Sequence, residues 1–116
     1  MGKLTSHVLD TTHGCPAAGM SIELYRTDAD QHKKLGSFVT NADGRIDGTL
    51  LDGAAFKEGV YELVFDVGSY FSAQSGGDQR GFLGQVPVRF CVTDANSHYH
   101  VPLLVSPYGY STYRGS

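Results

Sequence analysis

The sequence predicts an all-β fold, an antiparallel sandwich, and three observations carry that prediction. Short windows alternate apolar and polar residues with a period of two. Turn residues, among 15 glycines and four prolines, recur at roughly 8–12-residue spacing. No window has the 3.6-residue period of an amphipathic helix. The 116 residues read as one domain, 1–116, large enough to bury a core without staples. Neither a repeat nor a linker interrupts it.

Taken in order, Leu4–Asp10 alternates around Val8 and reads as a first strand. Gly14 and Pro16 place a loop over 11–19. Met20, Ile22 and Leu24 then share one face, with Ser21, Glu23 and Tyr25 on the other. Residues 27–34 read as a polar hairpin connection into a strand at 35–40. Asn41-Ala-Asp-Gly44 is a strong turn signal that delivers Arg45 to a short strand. Tyr61, Leu63 and Phe65 mark the core face of 59–67, and 70–74 suits a single helical turn. The stretch 75–84 is Gly-rich loop, and its conformation is left open over 72–85. Pro87 makes the strand at 85–93 an edge strand, because proline cannot donate to a ladder. Strands at 98–105 and 110–113 complete the set.

Composition excludes several functions. A net charge of −3 with scattered Lys and Arg offers no basic surface to nucleic acid. No apolar run nears the roughly 18 residues of a membrane span. The first residues show no charged-then-apolar leader, and Arg-Gly-Ser is not a peroxisomal tripeptide, so the cytoplasm is the expected compartment. Met-Gly-Lys-Leu-Thr-Ser fits a loose myristoylation pattern, but strand alternation begins almost at once. Cys15 and Cys91 read as reduced thiols without metal or redox spacing.

Period-two bookkeeping locates the chemistry. If Val8 faces the core, Thr5, His7 and Leu9 face outward; in the late strand His98, His100, Pro102 and Leu104 share one side. His7 and His100 thus project from mid-strand. An imidazole can take a proton from water and return it to a leaving nitrogen. Arginine's planar fork suits an oxyanion or urea-like edge, and tyrosine supplies a phenolic donor on a flat body. These groups describe a site for a small, planar, anionic molecule. Three histidines can bind zinc, yet no carboxylate or fourth histidine is spaced to complete or orient a metal shell, so no metal or cofactor is expected. His13 and His32 read as solvated surface residues. The end of the chain, 98–116, is too rich in aromatics and donors for a loose tail.

The chain resembles the 5-hydroxyisourate hydrolases, the transthyretin-related enzymes of urate breakdown, from Leu4 to Ser116. The likeness rests on Ser-His-Val-Leu-Asp (6–10), Gly-Cys-Pro-Ala-Ala-Gly (14–19), Thr-Asn-Ala-Asp-Gly-Arg (40–45) and Tyr-Glu-Leu-Val-Phe (61–65). It continues through His-Tyr-His-Val-Pro-Leu-Leu (98–104) and Tyr-Ser-Thr-Tyr-Arg-Gly-Ser (110–116). The closing Tyr-Arg-Gly-Ser is the most specific part, since transthyretin, the hormone carrier of this fold, lacks it.

The resemblance implies a transthyretin-like antiparallel β-sandwich of two four-stranded sheets with one short helix. It also implies a homotetramer, a dimer of dimers, with active sites at the dimer–dimer interface. The implied catalytic residues are His7, Arg45, His100 and Tyr113, with Ser111 and Arg114 joining His7, Arg45 and Tyr113 in binding substrate. His98, Gly115 and Ser116 would support them. The implied reaction is attack of water on the C6 cyclic amide of 5-hydroxyisourate, giving 2-oxo-4-hydroxy-4-carboxy-5-ureidoimidazoline. Which histidine is the base stays open, and a non-enzymatic small-ligand carrier is the alternative.

Overall fold

The structure, a computed structural model, describes residues 1–28, 30–74 and 81–115. Ser116 and part of the Gly-rich stretch, 75–80, lie outside the described residues. The strands are β1 (Lys3–Thr5), β2 (Val8–Asp10), β3 (Cys15–Pro16), β4 (Ser21–Asp28), β5 (Gln31–Val39) and β6 (Leu51–Asp52). After them come β7 (Gly59–Asp66), helix α1 (Val67–Gln74), β8 (Gln85–Val92), β9 (His98–His100), β10 (Leu103–Val105) and β11 (Tyr110–Thr112).

One layer is an antiparallel sheet in the order β5-β4-β7-β8. The expected core faces hold, with Ile22, Leu24, Tyr61, Leu63 and Phe65 all buried. Burial of such side chains contributes about 1.5–3 kcal/mol each. β8 is an edge strand, paired among the described residues with β7 alone, and Pro87 lies opposite Val64. The expected polar connection over 27–34 is mostly strand instead. β4 runs to Asp28 and β5 begins at Gln31, because polar side chains pair across the solvent face. Tyr25 stacks on His32 with centroids 4.1 Å apart, and His32 Nε2 lies 2.8 Å from Glu62 Oε2. His32 is therefore a partnered residue, not merely a solvated one.

The other layer holds the interest. The single strands expected over Leu4–Asp10 and His98–Val105 are each broken in two, and the breaks lie side by side. β1 pairs parallel with β9, and β2 parallel with β10. The period-two patterns could not reveal this parallel pairing, since they carry no direction. The ladder lapses at Pro102, which has no N–H to give. Its neighbours keep the sheet together: Val101 N–H donates to Thr5 O and Leu103 N–H to His7 O, both 2.9 Å. The buried Ser6 hydroxyl donates to Val101 O at 2.7 Å, and the Thr112 hydroxyl to Pro102 O at 2.7 Å. Side-chain alternation survives the break: Leu4, Ser6, Val8 and Asp10 are buried, whereas Thr5, His7 and Leu9 are part-exposed.

Two further elements exceed expectation. α1 starts at Val67 rather than Tyr70 and buries Val67, Tyr70 and Phe71, an i, i+3, i+4 stripe. Asp10, 1% exposed, accepts hydrogen bonds from Thr12 N–H and His13 N–H at 3.0 Å and from the Tyr70 hydroxyl at 2.8 Å. His13 Nδ1 lies 2.6 Å from its other oxygen, so His13 is an anchored residue with a half-exposed ring.

Candidate active site

Four segments of the broken sheet bring the expected residues together. The parallel register sets Thr5 beside His100 and Lys3 beside His98. The Asn41–Arg45 turn docks on the first strand: Val8 N–H donates to Gly44 O at 2.8 Å, and Arg45 forms an antiparallel bridge with His7. The tail covers the opposite side, where Gly115 forms an antiparallel bridge with His100. Across the sheet the order is thus Arg45, His7, His100, Gly115.

The turn is shaped to deliver Arg45. Asn41 Oδ1 accepts from Asp43 N–H at 2.9 Å and Arg45 N–H at 3.1 Å. Gly44 has φ +75°, and a Cβ there would lie 2.4 Å from Val8 O. Only glycine allows this approach. The Arg45 side chain is exposed and has no hydrogen-bond or ion-pair partner among the described residues. A cleft of about 320 Å³ is lined by Thr5, Ser6, Arg45, Ile46, Gly48, His98 and His100.

The imidazoles are oriented by specific partners. His7 Nε2 is 2.8 Å from Asp43 O. A carbonyl can only accept, so Nε2 carries the proton and Nδ1 of neutral His7 keeps its lone pair. Thr5 Oγ1 lies 2.6 Å from His98 Nε2 and 2.8 Å from His100 Nδ1, one hydroxyl between two rings. Burial holds His100 below the ordinary histidine range, helped by the positive field of Arg45 and by His98 and His7. His98 is lowered too, by burial and then by Lys3 and Arg114. Both rings are therefore held towards their neutral, proton-accepting forms.

The tail is docked through some residues and not others. Gly115 N–H donates to His100 O at 2.7 Å. The Arg114 guanidinium sits 4.0 Å over the Tyr99 ring and donates to His98 O at 3.3 Å. Tyr113, by contrast, is 58% exposed and is not among the residues that line the cleft. Ser111 is likewise exposed, opposite Leu104 in the β10–β11 ladder. The structure thus gathers His7, Arg45, His98, His100 and Gly115, while Tyr113 and Ser111 lie exposed on the tail and do not line the cleft. Sequence reasoning placed Thr5 on the right face without assigning it to the site. Its signal was its position two residues before His7, but the pairing with β9 is what puts it between the histidines. Among the described residues no group of three or more His, Cys, Asp or Glu side chains is placed to hold a metal ion.

A β-sandwich whose broken parallel strands gather histidines beside a turn arginine defines a class. The family model described as HIUase/Transthyretin matches residues 4–115, and the chain belongs to that family. A relative from Rhizobium meliloti, 5-hydroxyisourate hydrolase 2, is 57% identical over 99% of this chain and 97% of its own length. The 5-hydroxyisourate hydrolase of Pseudomonas aeruginosa is 52% identical over 100% of this chain and 93% of its own. Among solved structures, Klebsiella pneumoniae 5-hydroxyisourate hydrolase superposes with TM-score 0.83 at 35% identity, covering 100% of both chains. Sea bream transthyretin in complex with thyroxine has TM-score 0.88 at 29% identity, covering 97% of this chain and 94% of that one. (S)-allantoin synthase has TM-score 0.91 at 47% identity; it covers 99% of this chain, which spans 44% of that longer one.

Proposed function

We propose that this protein hydrolyses 5-hydroxyisourate by water attack on the C6 cyclic amide, opening the N1–C6 bond. The observation that carries the reading is the convergence of His7, Arg45 and His100 on one sheet face, in a chain aligned end to end with hydrolases of that name. His100, neutral at physiological pH, takes the proton of the attacking water and passes it to the departing nitrogen. His7, with its proton fixed on Nε2, offers Nδ1 to position water or substrate. Arg45, unpaired in the cleft, holds the anionic substrate and steadies the charge growing on oxygen, a contribution of about 3–4 kcal/mol for a well-placed donor. Tyr113 clamps the substrate ring, Ser111 contacts it, and Arg114 locks the tail.

Assembly completes the site in this reading. Tyr108, Tyr110 and Tyr113 are 78%, 46% and 58% exposed, and a monomer gains nothing from showing them to water. A homotetramer, two dimers face to face, covers them and encloses the cleft with no cofactor. A carrier of an apolar planar ligand would be poorly served by a face built from two imidazoles and a guanidinium. The test is to generate 5-hydroxyisourate with urate oxidase, add the protein, and follow loss of ultraviolet absorbance. Accelerated decay is expected; decay at the uncatalysed rate would refute the proposal.

Gly115 supplies a sharper expectation. A Cβ there would lie 2.5 Å from His100 Cδ2, so Gly115→Ala displaces the imidazole while leaving the core untouched. Turnover should fall about 10- to 100-fold with little change in melting temperature. Unchanged turnover would show that the tail does not set the ring's position.

A further inference from the structure

The Thr5 hydroxyl imposes a rule on the two histidines it joins. It owns one proton, so it can donate to only one ring nitrogen and must accept from the other. Both rings are held towards the neutral state by burial, and Lys3, Arg114 and Arg45 supply the surrounding positive charge. Two arrangements satisfy the geometry. In one, His98 Nε2–H donates to Thr5, whose O–H donates to His100 Nδ1; neutral His100 then carries its proton on Nε2 and cannot accept another there. In the other, His100 Nδ1–H donates to Thr5, whose O–H donates to His98 Nε2, leaving the His100 Nε2 lone pair free. Nε2 has no hydrogen-bond partner among the described residues.

We propose that Thr5 is a positioning residue that holds His100 in the Nδ1–H tautomer by donating its own proton to His98 Nε2. The proposal rests on the reading of His100 as the base. It gives His98, which lies outside the reacting centre, a defined role as the acceptor that fixes the direction of the chain. It also supplies a path for charge. Once His100 Nε2 has taken a proton from water, Nδ1–H can pass its proton to Thr5 Oγ1 while Thr5 O–H passes its proton to His98 Nε2. The positive charge then rests on His98 while water attacks. The reverse shift through Thr5 returns it to His100, whose imidazolium Nε2–H protonates the departing nitrogen; both rings end as they began, and no proton is gained or lost.

The experiment compares wild type, Thr5→Val and Thr5→Ser in the intact assembly. Valine keeps the shape and removes the hydroxyl; serine restores the hydroxyl. Thr5→Val should lower kcat about 10- to 100-fold with KM nearly unchanged, and Thr5→Ser should recover most of the loss. Nitrogen-15 spectra of the imidazoles give a readout independent of turnover. His100 should be the Nδ1–H tautomer in wild type and Thr5→Ser, and a mixture in Thr5→Val. Wild-type His100 as Nε2–H, or wild-type turnover retained in Thr5→Val, would overturn the proposal. If wild type fails to hydrolyse 5-hydroxyisourate, the functional reading falls, and the tautomer spectra alone decide the role of Thr5.

Discussion

His100→Asn is expected to lower kcat for 5-hydroxyisourate by about 10²- to 10⁴-fold, the usual worth of a general base, with folding and assembly intact. The argument is geometric. An asparagine amide can occupy the Nδ1 position and keep the bond to Thr5, and the backbone bridge to Gly115 involves no side chain of residue 100. What disappears is the group that titrates near neutral pH. Arg45 and His7 remain and continue to bind the substrate, so KM should move far less than kcat. Steady-state kinetics on the purified variant, with its oligomeric state checked by sedimentation, reads both quantities. A kcat within threefold of wild type would remove His100 from the mechanism.

The largest stability effect belongs to Asp10→Ala, which should cost about 3 kcal/mol. The buried carboxylate gathers two backbone N–H groups, His13 and the Tyr70 hydroxyl. Its removal orphans Tyr70 in a buried position, where an unsatisfied polar group costs about 1–3 kcal/mol, and deletes charge-assisted bonds besides. Tyr70→Phe removes the hydroxyl along with its need for a partner and should cost only about 1 kcal/mol. Thermal unfolding distinguishes the two; equal shifts would mean that the carboxylate anchors nothing beyond Tyr70. The pH dependence has a definite sign. Burial would raise the Asp10 carboxyl, but its bonds to His13 and Tyr70 outweigh burial and hold it below 3.8. A depressed carboxylate stabilises the fold at neutral pH, and that contribution is lost as pH falls below 3.8 through the lowered value. Tyr70, pushed above its ordinary range by burial and by Asp10, stays protonated throughout.

Much of this fold was legible because faces are local. Alternation alone put Thr5, His7 and Leu9 opposite Leu4 and Val8, and the core side of Tyr61, Leu63 and Phe65 followed from the same rule. The turn at Asn41–Gly44 announced itself through its residues, and with it the delivery of Arg45. Partnership, by contrast, is not local. Nothing in the spacing says that β1 and β9 run parallel in the register that sets Thr5 beside His100. The Asp10–Tyr70 bond joins residues 60 positions apart. His13 and His32 read as surface polar groups because the carboxylates that hold them cannot be chosen from sequence alone. The exposed Tyr113 is the complementary case: it is not among the lining residues of the cleft it is expected to serve, which a closing copy of the chain would explain.

The account depends most on a neutral His100 as the proton acceptor, and the pH profile of kcat/KM reads the free enzyme's base directly. After subtraction of the uncatalysed reaction, the profile should fall on its acid side with an apparent pKa below 6.5, because burial and Arg45 lower that imidazole. A profile flat between about pH 5 and 8, or an acid limb centred above 6.5, would contradict it.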